Sequence, residues 1–287
     1  MVKKILAVSG GIDSMVMLDL LAKEEREKIV VAHFNHGTRT SADLDMDFVK
    51  KRCEDYGILF VSKKIMLGEG VSEEVARQER YDYLYHVANK FQGKICTAHH
   101  LDDLLESIVI NLIRGTGWRG LTPFGNPEIE RPLLNLGYSK LEILQYAAEN
   151  KIVFRQDPTN NSDDYLRNRV RRSIMNIDRS IKQEIIRLYV EQKLLRNEIE
   201  KIISEVSEKL AQKNSHGEIK IRKDFFKTNE KAVAIEILKY VLQQKKLSLT
   251  RPQLNDLLAA IKNYATNKKF NLPRDKMAVI GRDFVSL

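Results

Sequence analysis

The sequence predicts an α/β fold: a doubly wound parallel sheet, then a long helix and a small α+β C-terminal region. Three observations carry that expectation. The first 100 residues alternate short apolar runs with longer amphipathic ones, the pattern of strands covered by helices on both faces. Each apolar run ends in a polar cluster, and open parallel sheets bind ligands at the carboxyl ends of their strands. Beyond residue 178 the alternation gives way to one extended helical periodicity and then to shorter elements.

Taken in order, Lys4–Val8 reads as the first strand and Asp13–Ala22 as a helix with Met15, Leu18 and Leu21 on one face. Ile29–Phe34 is the second strand, and Ser41–Tyr56 a helix begun by a Ser41 cap. Ile58–Ile65 is the third strand, Ser72–Phe91 a helix, and Gly93–Ala98 the fourth strand. Leu101–Arg114 continues as a helix, and Gly115–Asn126 is a loop containing glycine and proline. Ser139-Lys-Leu-Glu142 is a capping box opening a helix to about Asn150. Turn chemistry at Asp157-Pro-Thr-Asn-Asn-Ser precedes a short Arg-rich helix, Tyr165–Met175. Ser180 to about Gln212 is a long amphipathic helix broken at Lys213–Gly217. A helix at Ala232–Gln244, a second after the Thr250-x-x-Gln253 capping box, and strands near Phe270–Leu272 and Ala278–Leu287 complete the chain. The predicted domains are therefore 1–178, a linker helix 179–213, and 214–287.

Composition narrows the classes. No apolar run approaches the roughly 20 residues of a membrane span, and the N-terminus reads as a strand rather than a secretory leader, so a cytoplasmic location is expected. The two cysteines, Cys53 and Cys96, lie far apart without a Cys-x-x-Cys, which argues against a disulfide framework, a zinc ribbon or an iron–sulfur cluster. The net charge of +9 is unevenly spread. Residues 1–178 hold 25 Lys+Arg against 26 Asp+Glu, whereas residues 179–287 hold 23 against 13. That split is expected of chemistry in front and a polyanion bound behind; a lysine-rich surface without function would look the same.

The strongest motif is Ser9-Gly10-Gly11-Ile12-Asp13-Ser14 between a strand and a helix. Two glycines let the backbone turn tightly, so that its N–H groups and the helix dipole face one point, a cradle for phosphate. The Gly-Lys-[Ser/Thr] of a Walker loop does not follow. Further along come His33-x-Asn35-His36, Arg77 and Arg80 near one helical face, and His99-His100-x-Asp102-Asp103-x-x-Glu106. Arg114-Gly115, Arg131-Pro132-Leu133-Leu134 and the cluster Arg167, Arg169, Arg171 and Arg172 complete the series. Asp103 and Glu106 share a helix face and could hold an ammonium group, a Mg²⁺ ion or both. The alternative is that Asp102, Asp103 and Glu106 are helix N-terminal carboxylates that only complement the dipole.

The loop resembles the pyrophosphate loop of the N-type ATP pyrophosphatases, and the ordered series over residues 3–175 is similar to the tRNA(Ile)-lysidine synthases in their short form. Thr38 and Leu104 depart from the usual pattern without removing a group that the chemistry needs. The resemblance implies an adenine nucleotide alpha hydrolase-like fold, with ATP, Mg²⁺, L-lysine and an isoleucine tRNA with a CAU anticodon as reactants, and a homodimer among the expected assemblies. It implies ATP contacts from Ser9, Gly10, Gly11, Ile12, Asp13, Ser14, Arg77, His99, Arg114 and Gly115, with Asp13 toward Mg²⁺. Asp103 and Glu106 would take lysine, and Arg171 phosphate or the activated base. His36, Arg167, Arg169 and Arg172, with Lys220, Arg222 and Lys223 of the basic tail, would contact tRNA. A tRNA thiolase on the same loop and a non-catalytic nucleotide- or RNA-binding module are the alternatives.

Overall fold

A computed structural model describes residues 2–35, 37, 42–65, 73–155, 165–175, 177–213 and 218–287. The chain divides into two units, Met1–Gln192 and Lys193–Leu287.

The first unit opens with β1 (Lys3–Ala7), α1 (Ile12–Glu25), β2 (Ile29–Asn35), α2 (Ala42–Tyr56), β3 (Leu59–Lys64), α3 (Glu73–Phe91) and β4 (Gly93–Cys96). It continues with α4 (Leu101–Ile113), β5 (Ile129–Glu130), α5 (Pro132–Asn135), α6 (Lys140–Glu149) and α7 (Tyr165–Met175). The strand order is β3-β2-β1-β4-β5, and every pairing is parallel. Parallel pairing buries both faces: Leu6 and Val31 enter a core with α1 and α6, Ile5 and Val30 one with α3. The chain leaves β1 toward β2 and returns on its other side as β4. The crevice between the carboxyl ends of β1 and β4 is thus the switch point of the sheet.

All four expected strands form. The fifth, β5, escaped sequence reading because two residues carry no periodicity. Its Ile129 and Glu130 pair with Ile95 and Cys96. The loop expected over Gly115–Asn126 contains a short 3₁₀ turn, Trp118–Leu121. The Ser41 cap, the start at Ser72, His36, the 157–162 turn and residues 214–217 lie outside the described residues.

The long helix α8 (Arg179–Leu210) crosses the division between units. Ile185 and Ile186 pack with α4 and α7 residues of the first unit, whereas Ile203 joins the core of the second. The second unit adds β6 (Ala211–Lys213), β7 (Ile219–Arg222), α9 (Lys223–Thr228), α10 (Lys231–Gln244), α11 (Arg251–Asn263), β8 (Lys268–Leu272), β9 (Lys276–Ile280) and β10 (Phe284–Ser286). Its antiparallel sheet has the order β6-β7-β10-β9-β8. Thr250 caps α11 by accepting the Gln253 N–H, as the capping box predicts. The expected strand Ala278–Leu287 is instead two, reversing at Gly281. Sequence reading also missed β6, β7 and α9, which are short and set their register by partners far along the chain.

Candidate functional site

The loop after β1 is built by its own hydroxyls. Ser14 Oγ donates to the Gly11 carbonyl at 2.9 Å and accepts the Ser9 N–H at 3.2 Å. Gly10 has φ +95°, a conformation costly for any residue with a Cβ, and a Cβ there would lie 3.4 Å from Val49. The Gly10 carbonyl accepts the Arg155 N–H at 2.9 Å, which pins the turn from outside. Gly11 then caps α1, directing the helix's first N–H groups toward the strand end.

This loop opens onto a cavity of about 820 Å³. Ser9, Gly11, Ile12, Asp13 and Ser14 line it, and His99 does so from the end of β4. Gly10 shapes the turn without lining the cavity. His33 at the end of β2 is buried, and its Nδ1–H donates to the Val8 carbonyl at 2.8 Å, bracing the two strand ends. His99 Nδ1 pairs with Thr97 Oγ1 at 2.8 Å. Burial, then the charges of Arg131, Arg77 and Arg80, push its pKa down to about 3, so the ring is neutral at physiological pH.

Three more of the residues expected to contact ATP lie outside the lining of this cavity. Arg80, not Arg77, lines the cavity, and Arg77 stacks on the Tyr81 ring at 5.0 Å. Three residues along α3 rotate a side chain by about 300°, and only the fold shows which position faces inward. Arg114 and Gly115 line neither cavity described here. They end α4, about 20 Å from its start at a rise of ~1.5 Å per residue.

A second cavity, of about 730 Å³, adjoins α4, α6 and α7. Asp103, Glu106 and Arg171 line it beside Leu101, Leu141 and Ile174, and Asp13 and Lys140 line both cavities. Lys140 Nζ forms an ion pair with Asp13 Oδ1. Sequence reading missed Lys140, treating Ser139–Glu142 only as a cap. The cap does form, and it fixes the start of α6 where the Lys140 N–H also donates to Asp102 Oδ2 at 2.7 Å. The signal available was a lysine at the first position of that helix, where a cation is unfavourable to the dipole.

The carboxylates of α4 have separate roles. Burial works to raise the Asp102 pKa, but bonds from the Lys140 N–H and Lys182 Nζ hold it low. Asp103 Oδ2 accepts the His100 N–H at 3.0 Å. Burial raises its pKa, and the nearby charges of Asp13 and Glu106 add to that, partly offset by His100. Glu106 is buried at 1% exposure, and Arg167 and Arg171 each bond one of its oxygens. Glu106, expected to take lysine, lines the second cavity with its carboxylate held by two guanidiniums. Arg167, expected on tRNA, spends its Nε on Glu106, whereas Arg169 and Arg172 are exposed on α7.

In the second unit Lys220 and Arg222 are exposed, but Lys223 is buried and its Nζ donates to the Tyr264 carbonyl. Lys223 is therefore a structural tether and not part of an RNA-facing patch. Both cysteines are buried in the sheet core of the first unit, and burial pushes both thiols up to about 12. No helix among the described residues is long and apolar enough to cross a membrane.

The sequence of residues 2–177 matches the model of the PP-loop domain family. The tRNA(Ile)-lysidine synthase of Thermotoga maritima is 35% identical over 71% of this chain and 53% of its own length. That of Clostridioides difficile is 29% identical over 99% of this chain and 66% of its own. The chain thus spans about half to two thirds of the length of these curated relatives. Among solved structures, the U34-tRNA thiolase NcsA of Methanococcus maripaludis shares the fold, at TM-score 0.58 and 23% identity over 67% of this chain and 72% of its own. With the loop, its strand end and this match over more than half its length, the chain belongs to the PP-loop domain family.

Proposed function

We propose that this chain uses ATP to join L-lysine to carbon 2 of the wobble cytidine of an isoleucine tRNA with a CAU anticodon. The observation that carries the reading is the pair of cavities that share Asp13 and Lys140, one built on the phosphate loop and the other lined by Asp103. An activated base formed in the first would meet an amine held in the second. The similarity to lysidine synthases of other organisms supports the same assignment.

In the first step the cytidine O2 attacks the α-phosphorus of ATP, and the bond to the bridging oxygen breaks to release pyrophosphate. The Ser9–Ser14 loop and the start of α1 would stabilise the charge gathering there. Mg²⁺ would enter with the nucleotide, and it commonly takes one or two carboxylates plus phosphate oxygens. Asp13 fits that role, since its carboxylate borders the cavity; the ion's chemistry would be charge neutralisation on the phosphates. In the second step the deprotonated ε-amine of lysine attacks C2, the C2–O bond breaks, and AMP leaves. Asp103 would attract the ammonium, and its raised pKa suits it to accept the proton. Arg171, held by Glu106, lines the second cavity and would face the anionic adenylate.

The thiolase alternative needs sulfur-carrying or cluster-ligating cysteines, and both thiols here are buried and held in the unreactive neutral form. A non-catalytic module gives no reason for a second, carboxylate-lined cavity. The test is mass spectrometry of anticodon nucleosides after incubating the chain with tRNA, ATP and lysine. Lysidine is expected; ATP cleavage without lysine incorporation would overturn the reading.

A further inference from the structure

Asp13 and Lys140 line both cavities, and Lys140 is the cation of that pair. Its backbone and its side chain are held very differently. The backbone is fixed from several directions. Ser139 and Glu142 close the capping box around it, and its N–H donates to Asp102 Oδ2 at 2.7 Å. Lys182 Nζ donates to the other oxygen of Asp102 at 3.0 Å, so α4, α6 and α8 meet at this carboxylate. Further along α6, Tyr146 donates to the buried Asp19 at 2.7 Å, which fixes the helix against α1, the one that leaves the phosphate loop.

The Lys140 side chain, by contrast, is 42% exposed, and that of its partner Asp13 is 34% exposed. An ion pair so open to water contributes little to stability. A lysine at the first position of a helix also opposes the dipole. The fold gains little from a cation here, so its place is explained by what enters the cavities. The proposed reaction narrows what that is. The β- and γ-phosphates leave together as pyrophosphate in the first step. The α-phosphate stays through both steps, in ATP, then in the adenylate, then in AMP. A cation that borders both cavities is therefore matched to the α-phosphate.

We propose that Lys140 is a catalytic residue whose ammonium holds a non-bridging oxygen of the α-phosphate through both steps. In the first, the cytidine O2 bonds to the α-phosphorus as the bridging P–O bond breaks, and the ammonium offsets the charge on the phosphoryl oxygens. In the second, the N–C2 bond forms and the amine's proton goes to Asp103. The electron pair of the C2–O bond passes to the phosphate of AMP, and the ammonium stabilises that charge. The inference rests on the ligation reading and adds the group that stays with the reacting phosphate.

The test uses the full chain in buffer without divalent metal, where AMP, ATP and adenosine compete against a fluorescent ATP analogue. Lys140→Met removes the charge at nearly constant size. It is expected to weaken AMP and ATP about ten-fold each and adenosine by less than about two-fold. Lys140→Arg, which keeps the charge, is expected to bring AMP back to within about three-fold of the native chain. The melting temperature of Lys140→Met should not fall, because a cation opposing the dipole is removed. A merely structural lysine would lower it and weaken all three ligands alike. That result would overturn the proposal, as would AMP competing no better than adenosine, or ATP weakened with AMP unchanged. Lysidine formation is measured alongside, with kcat of Lys140→Met expected to fall about 100-fold; an unchanged kcat would also overturn it. If AMP affinity responds but the native chain forms no lysidine, the ligation reading fails and the phosphate contact stands. If the native chain forms lysidine and AMP affinity does not respond, the role of Lys140 fails alone.

Discussion

The two units handle charge in opposite ways. In the first, nearly balanced in net charge, the ionised groups around the cavities are locked to one another across long stretches of chain: Asp13 to Lys140, Asp102 to Lys182, and Glu106 to Arg167 and Arg171. In the second, the basic excess sits on exposed side chains, and ion pairs such as Arg222 with Asp224 and Lys239 with Glu236 join near neighbours in sequence. Half-buried, mutually neutralised groups act at one point and are strong there. Exposed cations act additively through a field that salt screens. Substitutions in the first unit should therefore be nearly all-or-none, and those in the second graded.

The largest expected effect is that of Asp13→Ala, which should abolish lysidine formation while tRNA affinity stays within about two-fold. Substantial turnover at saturating Mg²⁺ would break the contrast between units. Next is Asp103→Asn, expected to weaken apparent lysine affinity by about 10- to 100-fold, the range of one charged hydrogen bond of roughly 1.5–3 kcal/mol. A loss of ATP affinity with unchanged lysine affinity would assign Asp103 to the metal instead.

Glu106→Gln should then separate clamping from ligand binding. It removes the charge facing two guanidiniums and should cost about 2 kcal/mol of stability. That is below the 3–5 of a fully buried broken pair, because both arginines are half exposed. Denaturant melts read it directly, and an unaltered midpoint would show that the clamp contributes nothing to the fold.

A pH effect sharpens the same point. Burial lowers the pKa of His33 and pushes that of His99 to about 3, against 6.5 for both in the unfolded chain. The unfolded state therefore binds protons that the folded state refuses. Stability should be fully present above about pH 6.5 and fall as pH drops toward 3. His99→Gln should shrink that acid-side loss, and identical acid limbs would refute the assignment. The smallest effect on activity is expected from replacing Cys53 and Cys96 together by serine. Activity per folded molecule should persist, with stability reduced by on the order of 1–3 kcal/mol if the buried hydroxyls find no partner. Loss of activity in the folded double variant would reopen sulfur chemistry.

By itself the sequence determined whatever depends on neighbours along the chain. The strand–turn–helix at Ser9–Ser14, the capping boxes at Ser139 and Thr250 and the bounds of α7 were legible because hydroxyl, glycine and periodic apolar positions act within a few residues. The tertiary structure alone decided the partners. It chose Lys140 for Asp13 across 127 residues, set Arg80 rather than Arg77 against the cavity, clamped Glu106 while leaving Asp103 beside the second cavity, and buried Lys223 under Tyr264. Local periodicity says which face of a helix is apolar. It does not say which distant element supplies the opposing charge, because that choice is made by packing geometry and desolvation once the sheet has formed.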